Sequence, residues 1–278
     1  MSSAVNQLSF RDFERSGWQK ASARYHDFFS SLTTQVVPAL LDAVLPRSLD
    51  RRRIRLLDIA TGPGYVAAAA VARGVSAVGV DFSLSMTRMA ARSNPAIELC
   101  AGDAEQLPLT NESFGAAVTN FGLLHLGRPE RAVAEAFRVL GHGGKFGFTV
   151  WAMPEEAVAF GIILRAIEAH GNPRVTIPQG PPFFRFSDPH ECIRALTEAG
   201  FQEPSVIRVP QTWRLSSSDE LLEAFLHGSV RTAGLLAGQS AEELEAIRNG
   251  MRTATAAYEK NGGIELPMPA VLASAVKK

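Results

Sequence analysis

Cysteine is scarce: the chain of 278 residues holds two, Cys100 and Cys192. Two thiols cannot build a disulfide framework, and neither has a second Cys or a His at metal-ligand spacing, so no metal is expected. The scarcity points to a reducing compartment. Long apolar runs are missing as well, since no stretch reaches the roughly 18 residues of a bilayer-crossing helix. The opening segment MSSAVNQLSFRDFERSGW lacks a basic stretch followed by an apolar core. The expectation is a cytoplasmic protein with no membrane partner. An excess of either charge is also absent, because 28 Lys+Arg balance 28 Asp+Glu. No field draws the chain to nucleic acid. The one concentration of charge, Arg51, Arg52, Arg53 and Arg55, precedes an apolar run and reads as a solvated boundary. Internal repeats and low-complexity tracts are lacking too.

What is present is ordinary globular composition, 46% hydrophobic and 20% charged. Strand and helix signals alternate from about residue 20 to 151, the rhythm of a parallel α/β sheet. RIRLLDIA (53–60) reads as a buried strand, GYVAAAAVARG (64–74) as a helix stopped by Gly74, and SAVGVDFS (76–83) as a second strand. The helix SLSMTRMAARS, the short strand IELCAGD, the strand FGAAVTNFGL (114–123), the helix 128–141 and the strand KFGFTVW (145–151) complete one doubly wound unit. After Trp151 the rhythm changes. A helix (154–170), a Pro- and Phe-rich loop (172–189), a second helix, a strand (203–214), helical segments over 217–236 and 240–260 and a last apolar run (267–276) are predicted.

The most pointed stretch is Asp58-Ile-Ala-Thr-Gly-Pro-Gly64, a glycine-rich turn between strand and helix. Backbone N–H groups face a ligand there, and glycines let it approach closely. Gly62, Gly64 and Ala67 also satisfy the loose dinucleotide spacing G-x-G-x-x-G/A, so the turn alone leaves two ligand classes open. Asp58 argues against the dinucleotide, because a carboxylate at the strand end repels a pyrophosphate laid over the turn. An ammonium and a sulfonium would be welcomed instead. Asp81, ending the second strand, suits a ribose diol in either reading, since a carboxylate accepts two vicinal hydroxyl hydrogen bonds.

LLDIATGPGYVA, VGVDFSLSM, AGDAEQLPLTNESFGAAVTNFGLLHL and EAFRVLGHGGKFGFTVW, in this order, resemble the successive motifs of class I S-adenosylmethionine-dependent methyltransferases, especially the small-molecule branch with the ubiquinone/menaquinone-type C-methyltransferases. The resemblance covers about 18–151, and FSDPHECIRALTEAGF also fits. It implies an α/β, doubly wound, mostly parallel seven-stranded sheet (a Rossmann-like methyltransferase fold) with a helical lid inserted late, and with 267–276 as an antiparallel strand. The chain is then one domain, 1–278, with a cofactor-binding core over 18–151 and substrate-lid insertions over 152–187 and 214–262, which are expected to form a lid together with the N-terminal helix around Trp18–Phe29. S-adenosyl-L-methionine is the implied cofactor. Asp58, Ala60, Thr61, Gly62 and Gly64 would hold its methionine end and Asp81 its ribose. Phe82 and Met86 would pack on the adenine, Asp103 and Ala104 would meet its amino edge, and Asn120 and Phe121 would line the floor beside the sulfur.

The methyl acceptor reads as a small, mostly hydrophobic or aromatic molecule. After the fourth strand the chain has Asn120-Phe121-Gly122, not the Asn/Asp-Pro-Pro-aromatic run of amino-group methyltransferases, and neither cysteine follows a proline. Methyl transfer from a sulfonium is an in-line displacement, so alignment and water exclusion dominate. His125 is the first candidate base, with capping of the following turn as its structural alternative. Tyr25, His26, Trp151, Phe183, Phe184 and Phe225 are the expected acceptor-side residues. A nicotinamide-dependent oxidoreductase is a second reading, although no Tyr-x-x-x-Lys pair is present, and a cofactor-binding member without methyl transfer is a third. Monomer and homodimer are both compatible with the sequence.

Overall fold

The computed structural model describes residues 9–46 and 54–278. Arg51, Arg52 and Arg53 lie outside the described residues. Arg55 opens the first strand, where it pairs with Glu98 at 2.9 Å.

The cofactor half of the chain alternates as its apolar runs require: β1 (Arg55–Ile59), α3 (Tyr65–Ala72), β2 (Ser76–Asp81), α4 (Leu84–Ser93), β3 (Glu98–Ala101), β4 (Phe114–Asn120), α5 (Pro129–Val139) and β5 (Leu140–Trp151), preceded by α1 (Phe10–Thr33) and α2 (Val37–Val44). The remainder is α6 (Val158–His170), α7 (Pro189–Glu198), β6 (Gln202–Val209), β7 (Thr212–Leu215), α8 (Ser218–Gly228), α9 (Arg231–Ala237), α10 (Ala241–Thr255), β8 (Glu259–Lys260), β9 (Gly263–Pro267) and β10 (Ala270–Val276).

Seven strands form one sheet in the order β3-β2-β1-β4-β5-β10-β6. β3 to β5 run parallel, and β10 lies antiparallel between β5 and β6. The central strands bury both faces under helices, which is why β1 and β4 are continuous apolar runs without alternation; Leu56, Leu57, Ala116 and Val118 are fully buried. Chain order reverses between β1 and β4, so a crevice opens beyond their carboxyl ends.

Two expected elements divide differently. The strand predicted over 203–214 is two strands in different sheets, because Pro210 cannot donate to a ladder and Gln211 turns inward to donate to the Leu32 carbonyl. The helix predicted over 240–260 ends at Thr255, and β8 begins at Glu259. β8, β9 and β7 make a second, three-stranded sheet that the sequence reading lacks. Pro267 ends β9, so the antiparallel strand of the large sheet starts only at Ala270.

The small sheet is tied to α1 by one side chain. Trp213 of β7 is fully buried; its ring lies 4.7 Å from Phe29 and 5.9 Å from Phe225, and its indole N–H donates to the Phe28 carbonyl at 3.2 Å. Its removal leaves a cavity where α1, α8 and the small sheet meet. Trp213→Ala should therefore cost about 3–5 kcal/mol in denaturant unfolding, and a loss below ~1 kcal/mol would show that this junction relaxes and is not a keystone.

Candidate active site

Three parallel strands end at the crevice on chemistry-bearing residues. Asp58 and Asp81, near the ends of β1 and β2, are 1% and 5% exposed. Asp58 Oδ2 accepts from Thr61 Oγ1 at 2.7 Å and from the Ala67 amide at 3.1 Å. Asp81 accepts from the Gly62 amide on Oδ2 and from the Ser83 amide on Oδ1, both at 2.8 Å. Neither has a cationic partner among the described residues. Burial, only partly offset by these hydrogen bonds, pushes Asp58 up to about 7 and Asp81 up to about 6.

The turn between them is held open by left-handed backbone. Gly64 takes φ 83° and caps α3, and its amide donates to the Thr61 carbonyl. Ala60 and Phe121, the residues just beyond β1 and β4, adopt φ 54° and 55° without being glycine. Such geometry costs on the order of 1 kcal/mol each. Phe121 is held there by its amide, which donates to both the carbonyl and the hydroxyl of Thr149. Gly122 follows because a Cβ at that point would sit 2.4 Å from Thr119 Oγ1 and 2.8 Å from the Ala60 Cβ.

These strand ends open on a cleft with about 1180 Å³ of empty space, part of it open to solvent. Asp58, Ala60, Thr61, Gly62, Asp81 and Phe82 face it at the turn, Met86, Asp103 and Ala104 farther along, and Asn120 and Phe121 at the end of β4. Tyr25, His125, Trp151 and Phe183 line the same cleft. Four expected residues do not. Gly64 shapes the turn from behind. His26 is turned to the Tyr65 hydroxyl, 2.6 Å from Nδ1, and it is Tyr65 that lines the cleft. Phe184 packs behind Phe183 and Phe160, at 5.0 and 5.5 Å. Phe225 is fully buried among Phe29, Phe160 and Trp213. Both ends of the Asn120 side chain are engaged: it accepts from Thr149 Oγ1 and donates to the Thr33 carbonyl, tying α1 to the sheet.

The sequence reading missed part of the wall. Trp18 meets His125 edge-on at 4.8 Å, and Phe160 lies between Trp151 and Phe183 at 5.6 and 5.4 Å. With Phe121 stacked on Trp151 at 3.9 Å, the cleft acquires a continuous aromatic side. Arg231 and buried Glu14 were missed too. Glu14 accepts from Arg231 Nε at 2.9 Å and from His125 Nδ1 at 3.1 Å. Asp103, expected at an adenine edge, pairs with Arg11 of α1 and accepts from the Glu105 amide. The helical periodicity of α1 could have shown Trp18 sharing a face with Tyr25; nothing local marks Glu14 for burial. Among the described residues no group of three or more His, Cys, Asp or Glu could hold a metal ion, and no helix is long and apolar enough to cross a membrane.

Residues 57–148 match the family described as methyltransferase domain. A demethylmenaquinone methyltransferase of Renibacterium salmoninarum is 35% identical over 122 residues, covering 42% of this chain and 52% of that protein. The chain thus spans about half the length of that curated relative. Among solved structures, a Thermotoga maritima protein described as an S-adenosylmethionine-dependent methyltransferase, possible histamine N-methyltransferase, aligns with TM-score 0.56 at 20% identity, over 95% of this chain and 100% of that one. The [4+2]-cyclase SpnF aligns with TM-score 0.54 at 17% identity, over 99% of both chains. These two likenesses concern the fold.

The raised carboxyls carry a sign. A carboxyl whose folded value lies above its unfolded one binds more protons in the folded state, so its contribution is full below the unfolded value and is lost as pH rises toward the folded value. For the ligand-free protein, melting temperature should fall from about pH 4 to about pH 7 through Asp58 and Asp81 and level off above. Asp58→Asn should flatten that slope in a thermal-melt series. An unchanged slope in Asp58→Asn and Asp81→Asn would show that neither carboxyl carries it.

Proposed function

We propose that this chain, by family a class I S-adenosylmethionine-dependent methyltransferase, transfers a methyl group from S-adenosylmethionine to a small hydrophobic or aromatic acceptor. The observation that carries the reading is the pair of buried carboxylates without cations at adjacent strand ends, facing the same cleft as the aromatic side. Their surroundings satisfy them only with neutral N–H and O–H donors, so the site favours a ligand bearing positive charge and hydroxyls, and disfavours a pyrophosphate. Asp81 keeps lone pairs free for a ribose diol beside the Gly62 and Ser83 amides. Asp58, with Thr61 and Gly62 in the turn, forms the end that receives the methionine ammonium. Phe82 and Met86 offer apolar faces to the adenine, and Asp103 and Ala104 its polar edge.

The methyl donor supplies an electrophilic carbon on a sulfonium; the protein supplies alignment and dryness. Phe121 and Trp151 make the floor on which the acceptor approaches. Residues 18–151 act as the cofactor core of a single domain. Segments 152–187 and 214–262, with α1, act as the lid, since α6, α8 and α9 contribute Phe160, Gly228 and Arg231 to the cleft. Planar acceptors fit such a wall, in keeping with the quinone-related name of the Renibacterium relative.

Calorimetry should show S-adenosylhomocysteine binding at micromolar level, about 8 kcal/mol, with Asp81→Ala weakening it about tenfold or more. Tighter binding of a nicotinamide dinucleotide would overturn the assignment. Phe183→Ala tests the lid: cofactor affinity should stay within about threefold, under ~1 kcal/mol, while turnover of a naphthoquinol probe changes. Equal loss of both would return Phe183 to the core.

A further inference from the structure

Glu14 of α1 lies fully buried with both carboxylate oxygens engaged, one by Arg231 and the other by His125. Arg231 directs its other N–H groups to the carbonyls of Pro181 and Leu124 and lies against the Phe10 and Phe183 rings. Its charge is thus committed to Glu14 and is not presented to a ligand. With the carboxylate neutralised in this way, the imidazole need not be protonated for the cluster to hold. What Glu14 Oε2 demands of it is one N–H, and a neutral imidazole has one. In the neutral ring Glu14 selects the Nδ1–H tautomer, which leaves the lone pair on Nε2.

Among the described residues Nε2 has no hydrogen-bond partner, although the ring lines the cleft between the edge of Trp18 and the ring of Phe183. α1 is already anchored without the histidine, by the Glu14–Arg231 pair and by Asn120, Gln211 and Trp213. The histidine adds a basic nitrogen to an otherwise apolar wall that ends, through Phe183 and Phe160, at the floor of the cleft.

We propose that His125 Nε2 accepts a proton from the methyl acceptor, that Glu14 is the positioning residue for this base, and that the acceptor is a phenol or enol. The proposal rests on the methyl-transfer reading. In the step, the acceptor O–H bond breaks and its proton passes to Nε2. The oxygen electron pair forms the bond to the methyl carbon, and the carbon–sulfur pair stays on sulfur, leaving the thioether S-adenosylhomocysteine. Where the conjugated ring carbon is the nucleophile, that carbon afterwards releases its own proton to water. The imidazolium, facing the Glu14 carboxylate, returns its proton to solvent as product leaves. An amine acceptor would need no such base if it arrives uncharged, and a plain alkene has no proton to give at this point.

The test uses the full chain and 4-nitrophenol, a probe largely protonated near pH ~6, where phenolate formed by pairing with an imidazolium is seen by its absorption. The phenolate band should grow on binding to the wild-type protein, vanish in His125→Gln, and fall about tenfold in Glu14→Gln, with partial recovery in Glu14→Asp. Where Glu14→Gln does not fold, the double variant Glu14→Leu/Arg231→Met removes both charges together and leaves no orphan ion. A band equally strong in the Glu14 variants overturns the proposal, as does no band in wild type up to millimolar probe. Calorimetry with S-adenosylhomocysteine on the same samples separates the failures: absent cofactor binding sinks the methyl-transfer reading, whereas the nitrophenolate band judges the His125–Glu14 pair independently.

Discussion

Taking a carboxylate out of water is unfavourable unless something answers its charge, and the ends of β1 and β2 bury two. The turn between them is shaped by that demand. Thr61 supplies a hydroxyl, Ala67 and Gly62 supply amides, and Ser83 supplies another from the start of α4. For Thr61 and Gly62 to reach these positions, Ala60, Gly62 and Gly64 must all leave the right-handed backbone region. All the donors are neutral. The fold answers the geometry of the carboxylates and leaves their charge to whatever occupies the cleft.

The other buried carboxylate is handled in the opposite way. Glu14 has a guanidinium on one oxygen and an imidazole on the other, brought from α9 and from the turn after β4. That cluster is electrostatically closed apart from one ring nitrogen. Between the open anionic end and the closed one run the aromatic rings, from Phe121 and Trp151 through Phe160 to Phe183. The cleft is thus polar by design at two points and apolar between them, a division suited to holding two different molecules side by side.

The sheet was legible because β1 and β2 are buried on both faces over most of their length and so appear as apolar runs that carry Asp58 or Asp81 at their ends and lead into helices. Those two aspartates were legible for the same reason: a charge at the end of an apolar run has few structural explanations. The small sheet was not read, though a signal existed. Asn261-Gly262, with φ 52° and 82°, forms the two-residue connection between β8 and β9, and Asn-Gly is the strongest short-range mark of a hairpin. It was hidden because β8 has only two residues and continues a helical pattern. Phe183 and Phe184 are neighbours of identical composition, and only the local backbone decides which faces the cleft. Glu14 looks like any charged helix residue, since its partners lie 111 and 217 positions away.

Those separations also bear on how the molecule is made. α1 is fastened by Asn120, Gln211, Trp213 and Arg231, and each of these is synthesised long after the helix itself. At a ribosomal pace of about 5–20 residues per second, α1 waits roughly 10–40 s for Arg231 to appear. During that interval Phe29, buried in the finished protein, lacks the Trp213 and Phe225 rings that pack on it. A helix near the start of the described chain is therefore among the last pieces to dock. The complete cleft, with the wall that Phe183 and Arg231 add to α1, is therefore assembled only after most of the polypeptide has been made.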